Sequence, residues 1–365
     1  MKLLVATKNV GKLREYQELL QGLPVQLLSL ADEQIEVDVE ESGQTFEQNA
    51  SLKAQAYAAR SNLPTLADDS GLEVDALNGE PGVLSARYDG PQGTDQSRYS
   101  LLLDRMRDVP FERRGARFRC VIAVAAQDWP APVIAGQGRC EGFIARQPRG
   151  EHGFGYDPVF FVPQFGLSMA ELPPNIKNQI SHRARAAEPA RRWLAQHFFP
   201  DAIGGELSVT HLPPTSELRI RVAQLSDAKD LHHRCYPDRN SRHVERRIEW
   251  AIAGLVRGER IPLVAEAEGE ALAYIEIHLR QTVAELSSLI VAEPFRRRGV
   301  ATALLNVSRE VARDHGAKLL TVAVELEAKR LQGFYRKRGF RPHRTVRGVV
   351  EGYLGPVVYL VQHIG

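Results

Sequence analysis

The chain has 365 residues, a length for which two domains are the default expectation. It is 43% hydrophobic and 25% charged with a formal net charge of +2, which excludes a disordered or fibrous protein and gives no general case for stable nucleic-acid binding. Cys120, Cys140 and Cys235 are too few and too scattered for a disulfide framework or a zinc site. No apolar run reaches the length of a membrane span and the first residues lack a signal peptide's order, so the expected setting is a reducing cytoplasm without a membrane partner.

Residues 2–6 read as a buried strand, followed by Thr7-Lys8-Asn9-Val10-Gly11-Lys12 and a helix with Leu13, Tyr16, Leu19 and Leu20 at helical spacing. A strand, a loop with two lysines and a helix N-terminus make an anion site, because the first amides and the helix dipole both favour negative charge. An ordinary connection with solvated lysines has the same letters, and the loop is too short for a Walker A motif. Thr45 and Gln48 fit a capping box opening a helix to about residue 60, in which Asn49 and Lys53 share a face. Glu40 and Glu41 precede it and either reach a metal or favour the helix start.

The stretch Leu66-Ala67-Asp68-Asp69-Ser70-Gly71-Leu72 reads as a strand running into a tight acidic turn at Gly71. Two adjacent carboxylates can hold Mg²⁺ and orient or deprotonate a water, and a plain acidic surface turn is the alternative. If both lie in extended chain they face opposite sides of the sheet, and only one faces a pocket well. A loop of small residues over 81–88 and strands over 117–126 and 133–145 follow. In Gly153-Phe154-Gly155-Tyr156-Asp157-Pro158 the aromatics offer either a stacking surface for a base or core packing. Lys177 and Ser181-His182-Arg183 precede a helix, and Arg183 is a strong donor to phosphate or carbonyl oxygens.

These stretches, with Glu41-Ser42-Gly43-Gln44-Thr45-Phe46 and Ser85-Ala86-Arg87-Tyr88, resemble the inosine/xanthosine triphosphate pyrophosphatase family over nearly the first 200 residues. Lys8 is a departure, standing where bacterial relatives often carry Gly. The resemblance implies Mg²⁺-dependent hydrolysis of ITP, dITP and XTP to monophosphate and pyrophosphate, and a homodimer through this domain. By position it makes Asp69 the proton acceptor and a metal ligand, with Glu40 as the second ligand. It assigns Thr7, Lys8, Asn9, Val10, Gly11, Lys12, Lys53, Ser70 and Lys177 to the phosphates and sugar. Phe154, Gly155, Tyr156, Asp157, His182 and Arg183 fall around the base.

Periodicity lapses over 201–217, read as a linker. From 218 onward a strand, two helices and three strands lead into Val291-Ala292-Glu293-Pro294-Phe295-Arg296-Arg297-Arg298-Gly299-Val300-Ala301, a basic loop between a strand end and a helix start. This segment resembles the acetyl-CoA loop of the GNAT N-acetyltransferases, and Gly333-Phe334-Tyr335 with Gly339-Phe340 resembles their second signature. The resemblance implies cofactor contacts from Val291, Arg296, Arg297, Arg298, Gly299, Val300 and Ala301, and Tyr335 as general acid. Ala328 departs from the pattern, since an Asn often precedes the tyrosine by seven residues. Glu276 or Glu285 could serve as base or simply face solvent.

The expectation is therefore an α/β chain of two domains. Residues 1–200 form a mixed-sheet, ITPase-like α/β domain and residues 218–365 a GNAT-like α+β domain. The second domain either acetylates an amine of unknown identity or only binds an acyl-CoA as a regulatory or docking module.

Overall fold

The computed structural model describes residues 1–199, 218–350 and 353–365; the expected linker lies outside them. The chain divides into two compact units, each built on one seven-stranded sheet.

The first unit runs β1 (Lys2–Val5), α1 (Val10–Leu19), β2 (Gln26–Ser29), α2 (Phe46–Ser61), β3 (Thr65–Val74), α3 (Asp95–Arg105), β4 (Gly115–Ala125), β5 (Val133–Ile144), β6 (Phe160–Val162), β7 (Leu167–Ser168), α4 (Pro174–Ile180) and α5 (His182–Phe198). Its sheet order is β2-β1-β3-β4-β5-β6-β7. The β1 strand lies parallel to both β2 and β3, and the remaining pairs are antiparallel. Alternation along β3 sends Leu66 into one core with Tyr16 of α1 and Leu194 of α5. Ala67 enters a second core with Ala50 and Ala54 of α2. Helices α1 and α5 therefore cover one face and α2 the other, and each fully buried Leu or Phe contributes about 2–3 kcal/mol of apolar transfer.

The acidic stretch is strand rather than turn. Asp68 pairs with Ile122 and Asp69 with Val121 in mid-ladder. Gly71 is there for close approach: a Cβ would lie 2.4 Å from the Gly82 carbonyl and 2.5 Å from Ser85 Oγ, which itself accepts from the Leu72 amide. Only Thr65 and Leu66 of β3 pair with β1, so from Ala67 onward that edge of β3 has no β1 partner. Side chains from both faces can border the notch so formed.

The second unit runs β8 (Arg219–Val222), α6 (Asp227–Cys235), α7 (Ser241–Val256), β9 (Arg260–Ala267), β10 (Glu270–Arg280), β11 (Val283–Val291), α8 (Val300–Asp314), β12 (Leu319–Glu325), α9 (Lys329–Arg336), β13 (Arg341–Val350) and β14 (Tyr353–His363). The order is β13-β14-β12-β11-β10-β9-β8. Only β11 and β12 are parallel, joined through α8. Their pairing stops at Leu286 and Val322, leaving a gap beyond. The three cysteines are buried, and burial pushes their thiols up to about 12 for Cys120 and about 11 for Cys140 and Cys235, which disfavours the nucleophilic thiolate at each. Among the described residues no helix is long and apolar enough to cross a membrane.

Candidate functional site

The notch beside β3 gathers charge from four helices. Asn9 caps α1, its Oδ1 accepting from the Lys12 amide at 3.1 Å, which aims the first turn of α1 at β3. Lys12 Nζ then donates to Asp68 at 2.9 Å. Ser181 caps α5, so His182 and Arg183 occupy its first turn. Arg183 reaches Asp68 at 3.4 Å, Ser70 Oγ at 3.1 Å and the Glu15 carboxylate. From the other face, α2 is capped by Thr45, as the capping box predicts, although the Gln48 side chain accepts from the Gln44 amide rather than from Thr45. This helix presents Asn49, 3.2 Å from Asp69, and Lys53, 3.0 Å from Asp69 and in contact with Glu41.

The two adjacent carboxylates therefore differ. Burial alone would raise both. At Asp68 the cations Lys12, Arg183 and Lys53 outweigh burial and hold the carboxyl well below the usual range. At Asp69 burial prevails over Lys53, helped by the like charge of Glu41, and the carboxyl titrates above its ordinary value. Burial also drives His182 well below its ordinary value, aided by Arg183 and Lys177. Its ring stacks on Phe118 at 4.8 Å, and its buried Nδ1 has no hydrogen-bond partner among the described residues.

Phe154 is half-buried, with Lys177 Nζ 4.8 Å and the Arg183 guanidinium 5.7 Å from its ring. Lys177 also bonds Asp157 at 2.8 Å and Glu15 at 2.9 Å. Asp157 accepts from the Phe154 amide, and Gly155 donates to Asp95. Tyr156 is the core residue of the pair of aromatics: its ring belongs to the cluster around Phe118 and Phe160, and its hydroxyl donates to the Ser85 carbonyl at 3.0 Å. Lys8 turns away, to the Glu36 carbonyl and Asp38, and with Thr7, Asn9 and Val10 lines a separate hollow of about 670 Å³. Gly11 lies between them and Lys12. Glu40 is exposed, while Glu41 stands beside Lys53 and Arg87. The carboxylate pair that shares a cation is thus Asp69 with Glu41 rather than with Glu40. Sequence reasoning did not place Asn49 or Glu15 in the site. Glu15 lies three residues from Lys12 on α1, a spacing that marks a shared helix face.

In the second unit Gly299 caps α8 at φ 86°, a left-handed conformation that favours glycine. Val291, Arg296, Arg297, Gly299, Val300 and Ala301 line a hollow of about 450 Å³ together with Phe334 and Arg338, both from the stretch that carries the second signature. Arg298 lies outside that lining, 5.8 Å from the Phe295 ring. Tyr335 is buried between Phe334 and Phe340 and lines neither this hollow nor the larger one across the sheet. Glu276 is buried and paired with Arg247 and Arg260; burial would raise its carboxyl, but His278 and Arg247 carry it down to about 2. A carboxylate so held is a poor base, and Glu285, only partly buried, is the better placed of the two.

Set beside known proteins, residues 3–193 match the Ham1 family model and residues 225–340 the acetyltransferase (GNAT) family model. A dITP/XTP pyrophosphatase of Bacillus cereus is 46% identical over 197 residues, covering 54% of this chain and 96% of that protein. The structure of a HAM1 protein from Coxiella burnetii is 44% identical with a TM-score of 0.50, covering 54% of this chain and 99% of that one. The structure of an acetyltransferase of the GNAT family from Streptococcus pneumoniae is 20% identical with a TM-score of 0.34, covering 41% of this chain and all of that one, 100%.

Proposed function

Because the chain belongs to the Ham1 family, we propose that its first domain hydrolyses ITP, dITP and XTP to monophosphate and pyrophosphate, clearing them from the nucleotide pool. The observation that carries this reading is the opposed state of Asp68 and Asp69. Adjacent carboxylates pushed apart in affinity for protons divide their work. Asp68 stays ionised and anchors Lys12 and Arg183. Asp69, the stronger base, accepts a proton from water as the oxygen attacks the α-phosphorus and the bond to pyrophosphate breaks. Lys12, Lys177 and the free amides opening α1 draw the negative charge of the leaving pyrophosphate.

Asp69 and Glu41 supply hard oxygen donors, and their mutual repulsion, relieved between them by the shared Lys53, suits a second cation. Mg²⁺ held there would neutralise phosphate charge and polarise the attacking water. Base selection falls to Phe154 as stacking platform and to Arg183 and neutral His182 as polar contacts. A 6-keto purine accepts from such donors, whereas the 6-amino group of adenine leaves them unpaired, costing about 1–3 kcal/mol per group. Pyrophosphate release from ITP, XTP, dITP, ATP and GTP tests the reading. Strong preference for the 6-keto, non-standard substrates is expected, and equal rates with ATP would overturn it. Asp69→Asn should abolish turnover with an unchanged circular dichroism spectrum.

The proposal extends to a cytoplasmic homodimer, testable by the light-scattering mass of the full chain, and to acetyl transfer from acetyl-CoA to an amine by the GNAT domain. A second reading, acyl-CoA binding without transfer, is favoured by the burial of Tyr335 away from both hollows. Tyr335→Phe slows transfer in the first case and changes nothing measurable in the second.

A further inference from the structure

On the sheet face carrying Glu276 of β10 and Ser287 of β11 lies a hollow of about 1160 Å³, roomy enough for a small molecule. Its wall carries five arginines (Arg246, Arg247, Arg260, Arg280 and Arg344) against two glutamates, Glu276 and Glu285. Glu276 is committed to Arg247 and Arg260, and Glu285 lies 3.5 Å from Arg280. Among the described residues, Arg246 and Arg344 have no carboxylate partner; Arg344 rests on the Tyr359 ring at 4.9 Å. Ser287 of β11 and Thr321 of β12 both line the hollow where these strands stop pairing. Val291, four residues further along β11, lines the hollow at the α8 N-terminus, about 13 Å away at a strand's rise per residue. Facing Ser287, Glu276 marks one side of the sheet. A bulge at Ser288, where φ is 58°, shifts the register so that Ile290 takes the place opposite Tyr274 and Val291 turns to the other side. The two hollows therefore lie on opposite faces of the sheet, beside the gap between β11 and β12.

We propose that this hollow receives the acetyl acceptor and that the acceptor is a small amine bearing a carboxylate or phosphate. The inference rests on the acetyl-transfer reading of this domain and gives it a substrate class. A wall with excess positive charge repels an ammonium ion and favours the neutral amine, the form that can attack. It holds such a molecule only if the molecule brings an anion for Arg246 and Arg344. The amine nitrogen then bonds to the acetyl carbon and the carbon–sulfur bond breaks. The proton lost by nitrogen ends on the CoA sulfur, with no further reactant needed.

The test uses the full chain. Calorimetry first establishes acetyl-CoA binding. CoA thiol release is then followed with O-phosphoethanolamine against ethanolamine, glutamate against its dimethyl ester, and spermidine. The phosphate and carboxylate arms tell the two anions apart. The anionic member of at least one pair should exceed the partner that lacks the anion in kcat/KM by about tenfold or more. Arg344→Glu and Arg246→Glu, both at exposed positions, should raise KM for that substrate by about tenfold while kcat holds, and Arg344→Lys should restore most of the loss. Preference for spermidine or the partners that lack an anion, an unchanged KM in the charge-reversed variants, or normal acetyl-CoA binding without turnover of any anionic amine overturns the acceptor class. Failure of acetyl-CoA to bind overturns the domain reading itself, and the proposal with it.

Discussion

The chemistry of the first domain depends on single charges set a few ångströms apart. Lys53 is the clearest case, since it is the nearest cation lowering the proton affinity of Asp69. Lys53→Met should therefore move the acidic limb of the pH–rate profile for ITP hydrolysis to higher pH, measured at saturating Mg²⁺; a limb that stays in place would detach Lys53 from the base. His182 gives a stability prediction. Its folded-state pKa lies well below 6.5, so below pH 6.5 the unfolded chain takes up a proton that the folded chain refuses. Stability is fully present above that pH and falls by up to about 1.4 kcal/mol per pH unit beneath it. Urea titrations from pH 7.5 to 5 should show a flatter curve for His182→Gln than for the parent. At this scale the sequence was legible where a residue type has few uses: Lys53 meets Asp69 and Arg183 meets Ser70, residues that the motifs named as one site. It was not legible for Glu40, Lys8 and Tyr156. Which of two neighbouring glutamates turns inward, and whether an aromatic goes to core or cleft, is decided by packing partners far along the chain.

Among the elements, caps decide how the helices aim. Ser181 accepts from the Ala184 amide and so fixes the turn that carries His182 and Arg183. Ser181→Ala should lose about 1 kcal/mol of stability and raise KM for ITP more than it lowers kcat, read from unfolding curves and steady-state kinetics. In β3, Gly71→Ala would drive a methyl into the Gly82 carbonyl and Ser85 Oγ, costing about 1–3 kcal/mol as overpacked sites do. Many strands and helices were readable from their periodicity, although β2, α3, α4, β7 and the last three strands were not among them. The acidic stretch was read as a turn, because Asp-Ser-Gly has the letters of one. What overrides them is a ten-residue ladder with β4, a long-range pairing that no local propensity encodes.

For the molecule as a whole, each of the two sheets carries a candidate site of its own, and single substitutions should separate them. Gly299→Val puts a β-branched residue at φ 86° and should abolish acetyl-CoA binding by calorimetry while leaving pyrophosphate release from ITP unchanged. The β11–β12 gap, the Arg-rich hollow and the free edge of β3 were invisible in the sequence, because each arises where strands stop pairing rather than where a residue type recurs.

The ammonium of Lys53, lodged against both Asp69 and Glu41, also bears on how the protein comes into being. Two buried carboxylates already bridged by a cation of the chain's own hold together without an ion from solution. The chain need not wait for an ion to finish folding, nor unravel when one is stripped away. Chelator-treated protein should keep its melting temperature within about 2 °C of the Mg²⁺-supplemented sample at low metal concentration, whereas Lys53→Met should become visibly dependent on the added ion.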